Sequence, residues 1–394
     1  MSVQNRVFIA GAGPIGLVAA ANLVRAGVPV TLFEAGPELS EESRASTFHP
    51  PTLDMLHGLG AAQPLIAQGL VAPAFQYRTK TNGLIAQFDF GAIADATAHP
   101  YRVQAEQSKL TRILLEQLRG KSGFEIAFNS RVQAVTQDSA SVTVAIEQDG
   151  AALSRAGRWL IGADGASSSV RRSLGIAFEG FTWPDRLLVV STPFDFHSAI
   201  PGLTAVNYVA DPERWHFLLQ IPGLWRVMFL IKEDVSDEQI RTHEFAQSLM
   251  ATIIPGIANY EISHTTLYKV HQRVASTFRQ GRAFLAGDAA HINNPLGGMG
   301  MNGGIHDAIN LTDRLANVWH GRADDAELDR YDRQRRLVTL ETIQTQTIQN
   351  KKNLETPEPL KQELHAIQAD RKRTYDYLLR VSMIATLRRA AELG

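Results

Sequence analysis

Three glycine-rich segments carry the residue types able to do chemistry. The first is Gly11-Ala12-Gly13-Pro14-Ile15-Gly16. Its spacing suits a strand that turns into a helix over a dinucleotide. Gly11 serves the tight turn, Gly13 the close approach of backbone to pyrophosphate, and Gly16 the packing of helix on strand. Pro14 takes the first helical position, and the helix N-terminus offers phosphate its free N–H groups and a favourable dipole. Glu34 ends the next strand, where a carboxylate accepts from both ribose hydroxyls of an adenosine. A glycine turn with no ligand would not require that complete frame.

The second segment is Ile161-Gly162-Ala163-Asp164-Gly165-Ala166-Ser167-Ser168-Ser169-Val170-Arg171. An acidic residue leaves a buried strand, the chain turns, and a helix carrying Arg171 begins. An ordinary strand–turn–helix capped by Asp164 explains this segment equally well. The third runs from Gly281 through Asp288 and His291 to Gly304. Asp288 leaves a strand end, where it can accept from a sugar or ribityl hydroxyl. Residues 297–304 then hold five glycines in eight positions, each costing conformational entropy, so folding alone explains them poorly. They expose backbone N–H groups just before a helix, which stabilises an anion. The N1–C2=O edge of a reduced flavin is such an anion. His291 reads as a packed histidine rather than a catalyst.

The elements that must position these segments follow from hydrophobic period and turn residues. Residues 6–10 read as a strand, 14–26 as a helix ended by Gly27, and 28–33 as a second strand. Helices are expected over 52–59 and 108–118, the latter with Leu110, Ile113, Leu114 and Leu118 on one stripe. Residues 131–146 alternate like paired strands, and 159–162 form a short buried one. From about 175 to 273 helical periodicity fades. Alternating stretches at 187–192, 204–209, 214–221 and 225–231 read as an antiparallel sheet, with one helix near 237–252 packed on it. A strand at 283–286, a helix at 300–320 and a helical tail from 326 broken at 356–359 complete the pattern.

Composition narrows the function classes. The 394 residues hold 39 Lys plus Arg against 40 Asp plus Glu, which argues against nucleic-acid or membrane-surface binding driven by bulk charge. There is no cysteine, which removes disulfides, thiolate metal sites, thiol nucleophiles and dithiol relays, and favours a cytoplasmic setting. Residues 7–24 are uncharged and long enough to span a membrane, but three glycines and a proline in their first half make a poor spanning helix.

Taken in order, the three motifs resemble the FAD-dependent aromatic hydroxylases of the para-hydroxybenzoate hydroxylase type, the single-component class A flavoprotein monooxygenases, over residues 6–332. The resemblance implies an α/β fold: a Rossmann-like FAD-binding domain of the glutathione reductase type, an inserted antiparallel-sheet substrate domain and a C-terminal helical region. The expected boundaries are 1–175 and 274–325 for the two parts of the FAD domain, 176–273 for the substrate sheet, and 326–394 for the helices. Gly11, Gly13, Gly16 and Glu34 would hold the ADP half of FAD, with Pro14 opening the helix. Arg44 would contact the pyrophosphate region and Gln107 the ribityl chain, with Gln104 the alternative to Gln107. Asp164 and Arg171 would serve both FAD and the nicotinamide cofactor, Asp288 the ribityl, and Gly297, Gly298, Met299, Gly300, Met301 and Asn302 the isoalloxazine edge. Arg226 would position the flavin, and the Pro295 carbonyl would face the substrate. Met299 and His306 stand where glutamine is common in the family.

The implied reaction starts with reduction of FAD by NADH or NADPH. Oxygen adds at flavin C4a, and the hydroperoxide attacks a carbon of an aromatic or heteroaromatic ring that is phenol-like, hydroxybenzoate-like or hydroxypyridine-like. No metal is needed. The expected substrate contacts are Tyr77, Tyr208, His216 and Gln220, with Tyr208 and His216 relaying a phenolic proton and Pro295 beside the reacting ring. No nucleic acid and no membrane span are expected, and a homodimer is open. A flavin epoxidase or reductase on the same fold, or a non-catalytic flavin-binding redox module, are the alternatives. The intact loop from Pro295 to Gly304 argues against the module.

Overall fold

Strands that are apolar on both faces belong in the middle of a covered parallel sheet. The chain places three such strands side by side. The structure is a computed structural model describing residues 4–41, 45–81 and 83–394. The strand Gln4–Ala10 lies between Val30–Phe33 and Ala151–Gly162, all parallel, with Ile9 opposite both Leu32 and Ile161. Phe124–Ala127 extends the sheet on one side and Ala283–Leu285 on the other, again in parallel. The hairpin Ser130–Gln137 and Val142–Gln148 joins along the first half of Ala151–Gly162. The strand expected at 159–162 is therefore the buried end of a 12-residue strand whose exposed first half hides its length.

Helices Pro14–Arg25 and Met299–Trp319 pack against one another over this sheet. Their approach depends on missing side chains. A Cβ on Gly16 would lie 1.9 Å from the Gly11 carbonyl oxygen. One on Gly304 would meet Ile15 at 2.7 Å and the Gly287 Cα at 2.9 Å. Gly11 itself has φ +100° and sits 2.5 Å, measured from its would-be Cβ, from the Ala163 oxygen.

The second sheet has eight strands, in the order His291–Ile292, His264–Ala275, Phe178–Thr192, Leu224–Ile231, His216–Ile221, Val206–Ala210, Ala74–Thr79 and Leu84–Asp89. All pairings are antiparallel except Val206–Ala210 with Ala74–Thr79. Its last two strands come from before the expected insertion. Their period is masked because Gln76 and Arg78 are buried polar residues, Gln76 bonding Gln87 and the Gly202 carbonyl while Arg78 donates to Gln76. One face packs Leu188, Leu218, Val227 and Phe229 against the helix His243–Met250. The single helix expected at 237–252 is two, Asp237–Ile240 and His243–Met250, the second capped by Thr242. The opposite face is closed by Pro357–Gln368 and Arg371–Val381 through Leu360, Leu364 and Leu378. A small third sheet, Thr47–Phe48, Arg102–Gln104 and Leu70–Ala72, adds Thr47 opposite Gln104 near the same site.

Among the described residues no helix is long and apolar enough to cross a membrane. The uncharged run at 7–24 is the first strand, its turn and the first helix.

The packing of Gly16 predicts a sharp contrast. Gly16→Ala should destabilise the protein by about 1–3 kcal/mol, the range for overpacking. Gly58→Ala, at the end of the helix Pro50–Gly58 with nothing within 4 Å, should change stability by less than about 1 kcal/mol. Urea unfolding of both variants checks the difference.

Candidate active site

The first helix begins at Gly13 with no side-chain cap and no acidic residue in its first turn. Its leading N–H groups and positive end are therefore left to a ligand. A Cβ on Gly13 would meet nothing within 4 Å, so the space beside the helix start is open. Glu34 braces the turn beneath: one carboxylate oxygen accepts from the Ala12 N–H at 2.7 Å and the other from the Gly36 N–H at 2.8 Å. Each oxygen keeps a further lone pair for a hydroxyl.

Asp164 stands against Gly11, its Cα 3.1 Å from the position of a Gly11 Cβ. One of its oxygens caps the helix Ser169–Ser173, accepting from the N–H groups of Ser169 and Val170 at 2.8 and 3.1 Å. The other oxygen is buried and has no partner. Arg171 is turned inward. It donates to the carbonyls of Ala166 and Ala289 at 2.7 and 2.8 Å and lies 3.7 Å over the Phe178 ring. It thereby ties the second motif to the backbone beside Asp288, which is half-buried and engaged.

The loop after Ile292 enters the helix Met299–Trp319 through Gly297 and Gly298, at φ +93° and +66°. Four side chains lock it. The Gly297 carbonyl accepts from His49 Nε2 at 2.7 Å. Asn302 Nδ2 donates to the carbonyls of Gly298 and Thr47, and Asn302 Oδ1 accepts from the His49 N–H. From the other side, Asn350 donates to the Leu296 carbonyl and Asn294 to the Thr347 carbonyl. The Pro295 carbonyl accepts from the Gly298 N–H at 2.9 Å, so it closes the loop's own turn. Gln104 accepts from Thr47 Oγ1 at 2.8 Å, while its amide nitrogen is buried without a partner. Gln107 opens the helix Gln107–Leu118 half-buried. Arg226 is buried and donates to Ser46 Oγ at 3.1 Å, joining the large sheet to this floor. Arg44 lies outside the described residues.

Beneath the loop, Asp307 is fully buried and accepts from the Gly287 N–H, His291 Nε2 and Arg335 Nε, at 3.1, 2.7 and 2.6 Å. Burial works to raise its carboxyl, and the Arg335 guanidinium and His291 overcome this, holding it well below the usual range. His291 is thus part of the scaffold. His306, against Thr52, is held at about 3, by burial and then by Arg335.

A cavity opens beside Gly297 and Met299. Tyr77, Tyr208 and Phe75 form one wall, and Leu354, Val381 and Asn350 close it from the C-terminal helices. Tyr77 and Tyr208 stack at 5.2 Å on adjacent strands. Burial pushes the Tyr77 hydroxyl up to about 12, with Tyr208 adding to the rise. His216 and Gln220 do not join them. His216 pairs in register with Val209 and packs on Phe229, and Gln220 bonds His197; both are on the face against His243–Met250. The expected Tyr208–His216 pair is therefore corrected: Phe217, not His216, lies across from Tyr208. The sequence reasoning missed Arg102, which lines the cavity, and His49, which holds the loop. An arginine between Tyr101 and Val103, just before Gln104, was the available sign.

The open space at Gly13, the unpartnered oxygen of Asp164, the unpartnered amide of Gln104 and the backbone-lined loop at 297–302 fit FAD. The chain matches the family model described as "FAD binding domain" over residues 4–346. It is 36% identical over 346 residues to the para-nitrophenol 4-monooxygenase of Pseudomonas sp. (strain WBC-3), spanning 86% of this chain and 85% of that protein. It is 35% identical over 363 residues to the 6-hydroxy-3-succinoylpyridine 3-monooxygenase of Pseudomonas putida (strain DSM 28022 / S16), spanning 91% of each. It superposes on the crystal structure of p-nitrophenol 4-monooxygenase from Pseudomonas putida DLL-E4 with a TM-score of 0.91 at 32% identity, covering 97% of this chain and 99% of that one.

Two outcomes are expected. Gly13→Val puts a side chain into empty space at an ordinary φ of −68°, so the apoprotein should keep its stability while bound flavin is lost; absorbance and thermal melting read the two separately. The second concerns pH. Burial holds His49 well below its ordinary value, His216 at about 4 and His306 at about 3. The unfolded chain takes up a proton on each near pH 6.5, and the folded chain does not. Their stabilising contribution is full above about pH 6.5 and is lost as pH falls toward 4 and below, at up to about 1.4 kcal/mol per pH unit for each histidine. His306→Gln should flatten the acid side of a stability–pH curve by one such increment.

Proposed function

We propose, for a chain that belongs to the FAD-binding-domain family of flavin-dependent monooxygenases, that it hydroxylates a small phenol-like or hydroxypyridine-like ring held in the cavity beside Gly297 and Met299. The net reaction consumes NAD(P)H, a proton, dioxygen and the ring compound, and yields NAD(P)⁺, water and the hydroxylated ring. The observation that carries the reading is the continuity of that cavity with the loop. Gly297 and Met299 wall the cavity and belong to the segment 297–302 fitted to the flavin edge. The names of the relatives support a hydroxylated aromatic or heteroaromatic substrate.

When bound, FAD supplies the transfer of electrons from NAD(P)H to dioxygen. The protein's part is binding, orientation and exclusion of water. Gly13 and the first helix would hold the pyrophosphate, Glu34 the ribose, Asp164 and Asp288 the sugar and ribityl hydroxyls, and the N–H groups of 297–302 the pyrimidine edge. Phe75, Leu354 and Val381 keep water from the ring. Tyr208, whose hydroxyl oxygen accepts from Arg102, is placed to relay the substrate's phenolic proton by passing on its own, while Tyr77 stays protonated at working pH and acts as a donor. The cysteine-free composition supports a cytoplasmic setting, and a homodimer is a matter for light scattering.

A panel of phenols, hydroxybenzoates and hydroxypyridines, run with labelled dioxygen and read by mass spectrometry, tests the proposal. At least one compound should accelerate NAD(P)H oxidation and gain one labelled oxygen. Compounds that speed oxidation but yield only hydrogen peroxide in every case would refute it. Tyr208→Phe should lower product formation by about 10²–10⁴-fold if Tyr208 moves the proton.

A further inference from the structure

Met299 brings the cavity wall its one sulfur atom. It is the first residue of the helix Met299–Trp319 and is only 2% exposed, so a reagent reaches it through the cavity rather than from bulk water. A Cβ on Gly297 would lie 3.5 Å from its Cε and 3.7 Å from its Cγ. The thioether between those atoms therefore rests on the bend of the loop fitted to the flavin edge. Behind it, Met299 forms a buried apolar cluster with Ile343 and Met383, which joins the loop to the C-terminal helices.

Chemistry sets this position apart. The other lining side chains are hydrocarbons, phenols, an amide and a guanidinium, which hydrogen peroxide leaves intact in the absence of a metal. A thioether takes one oxygen from peroxide directly, and dedicated reductases remove it again. The chain has no cysteine, so its thioethers are the only side chains that take oxygen reversibly. Among the described methionines, Met55 is half-buried, Met228 and Met301 are 8% and 7% exposed, and Met250 and Met383 are fully buried. Met301 packs into the core of the FAD-binding part and does not line the cavity. Peroxide in bulk water therefore meets Met55 first, and peroxide made beside the loop meets Met299 first.

Resting on the reading that bound flavin passes electrons from NAD(P)H to dioxygen, we propose that Met299 is a modification site: peroxide made while no ring is hydroxylated is trapped there as methionine sulfoxide, and turnover stops. When no ring takes the oxygen, NAD(P)H and one proton reduce dioxygen to hydrogen peroxide. The O–O bond then breaks and one oxygen forms a bond to sulfur. The sulfur is oxidised by two electrons, and the other oxygen leaves as water with both protons. The product places a polar oxygen in the contact with Ile343 and Met383. Such a group fits an apolar cluster poorly, so the join between the loop and the C-terminal helices loosens and the cavity loses its shape.

The test uses the FAD-loaded protein with air, NAD(P)H and excess catalase, without a ring compound, followed by peptide mass mapping. Met299 should gain one oxygen about tenfold or more faster than Met55. Added hydrogen peroxide, without NAD(P)H or catalase, should reverse that order. Photoreduced flavin reoxidised by air supplies the peroxide where the nicotinamide is oxidised too slowly. Met299→Leu removes the sulfur at similar volume and should slow the loss of activity during such turnover by about threefold or more. Methionine sulfoxide reductases with a dithiol should restore the wild type. Oxygen gained at Met301, Tyr77 or Tyr208 while Met299 stays intact overturns the proposal. So does loss of activity at the same rate in wild type and Met299→Leu. If a ring is hydroxylated but Met299 stays intact when that ring is withheld, the proposal falls and the hydroxylase reading stands. Met299 sulfoxide in a protein that hydroxylates no ring of the panel removes the hydroxylase reading and leaves the proposal.

Discussion

The structure depends on backbone segments approaching more closely than any side chain permits. The first turn, the second motif and the start of the flavin loop meet at one corner because Gly11, Gly16, Gly287 and Gly304 carry no Cβ there. The distances are not marginal: 1.9 Å at Gly16 and 2.5 Å at Gly11, both to carbonyl oxygens that belong to the backbone and cannot swing aside. Ile15 wedges between Gly287 and Gly304, so the helix that would face the pyrophosphate also sets the distance to Asp288. Position and cofactor geometry are therefore a single constraint, and a side chain at any of these four sites acts on both.

A second layer converts that corner into a rigid loop. Asn302 spends both ends of its amide on the loop and on the strand Thr47–Phe48, and His49 closes Gly297. Asp307 gathers Arg335, His291 and a backbone N–H below. Such a buried ionic cluster contributes little net stability compared with well-packed apolar residues, because desolvation offsets the attraction. Its consequence is orientation: the N–H groups of 297–302 are held in place before any ligand arrives, which is what stabilisation of a developing charge requires.

The glycine and carboxylate geometry of the candidate cofactor site was legible because its constraints are local. A glycine with no alternative and a carboxylate at a strand end leave their mark within a few residues. The substrate half was not, for two physical reasons. The large sheet is covered on both faces, so Trp215, Leu218 and Leu219 are all buried and alternation no longer tells inside from outside. Parity then decides everything: Tyr208 and His216 sit on neighbouring strands, and a register that puts His216 opposite Val209 sends the two side chains to opposite faces. The strands Ala74–Thr79 and Leu84–Asp89 escaped notice because Gln76 and Arg78, polar by type, are buried by a network that forms only in the fold.

Arg102 belongs to neither category. Its strand, Arg102–Gln104, is three residues long and its charge looks like that of a surface residue until Phe75, Phe90 and the helix Arg371–Val381 close around it. These parts come from widely separated stretches of chain. The residues that fit FAD and the residues that line the ring cavity meet at Gly297–Met299 and along the strand Arg102–Gln104. Changes at Phe75, Arg102, Tyr208 or the C-terminal helices alter what the cavity accepts while the corner is untouched. Such a division leaves the charge and shape of the opposite wall to set what the cavity accepts, apart from the corner that fits the cofactor.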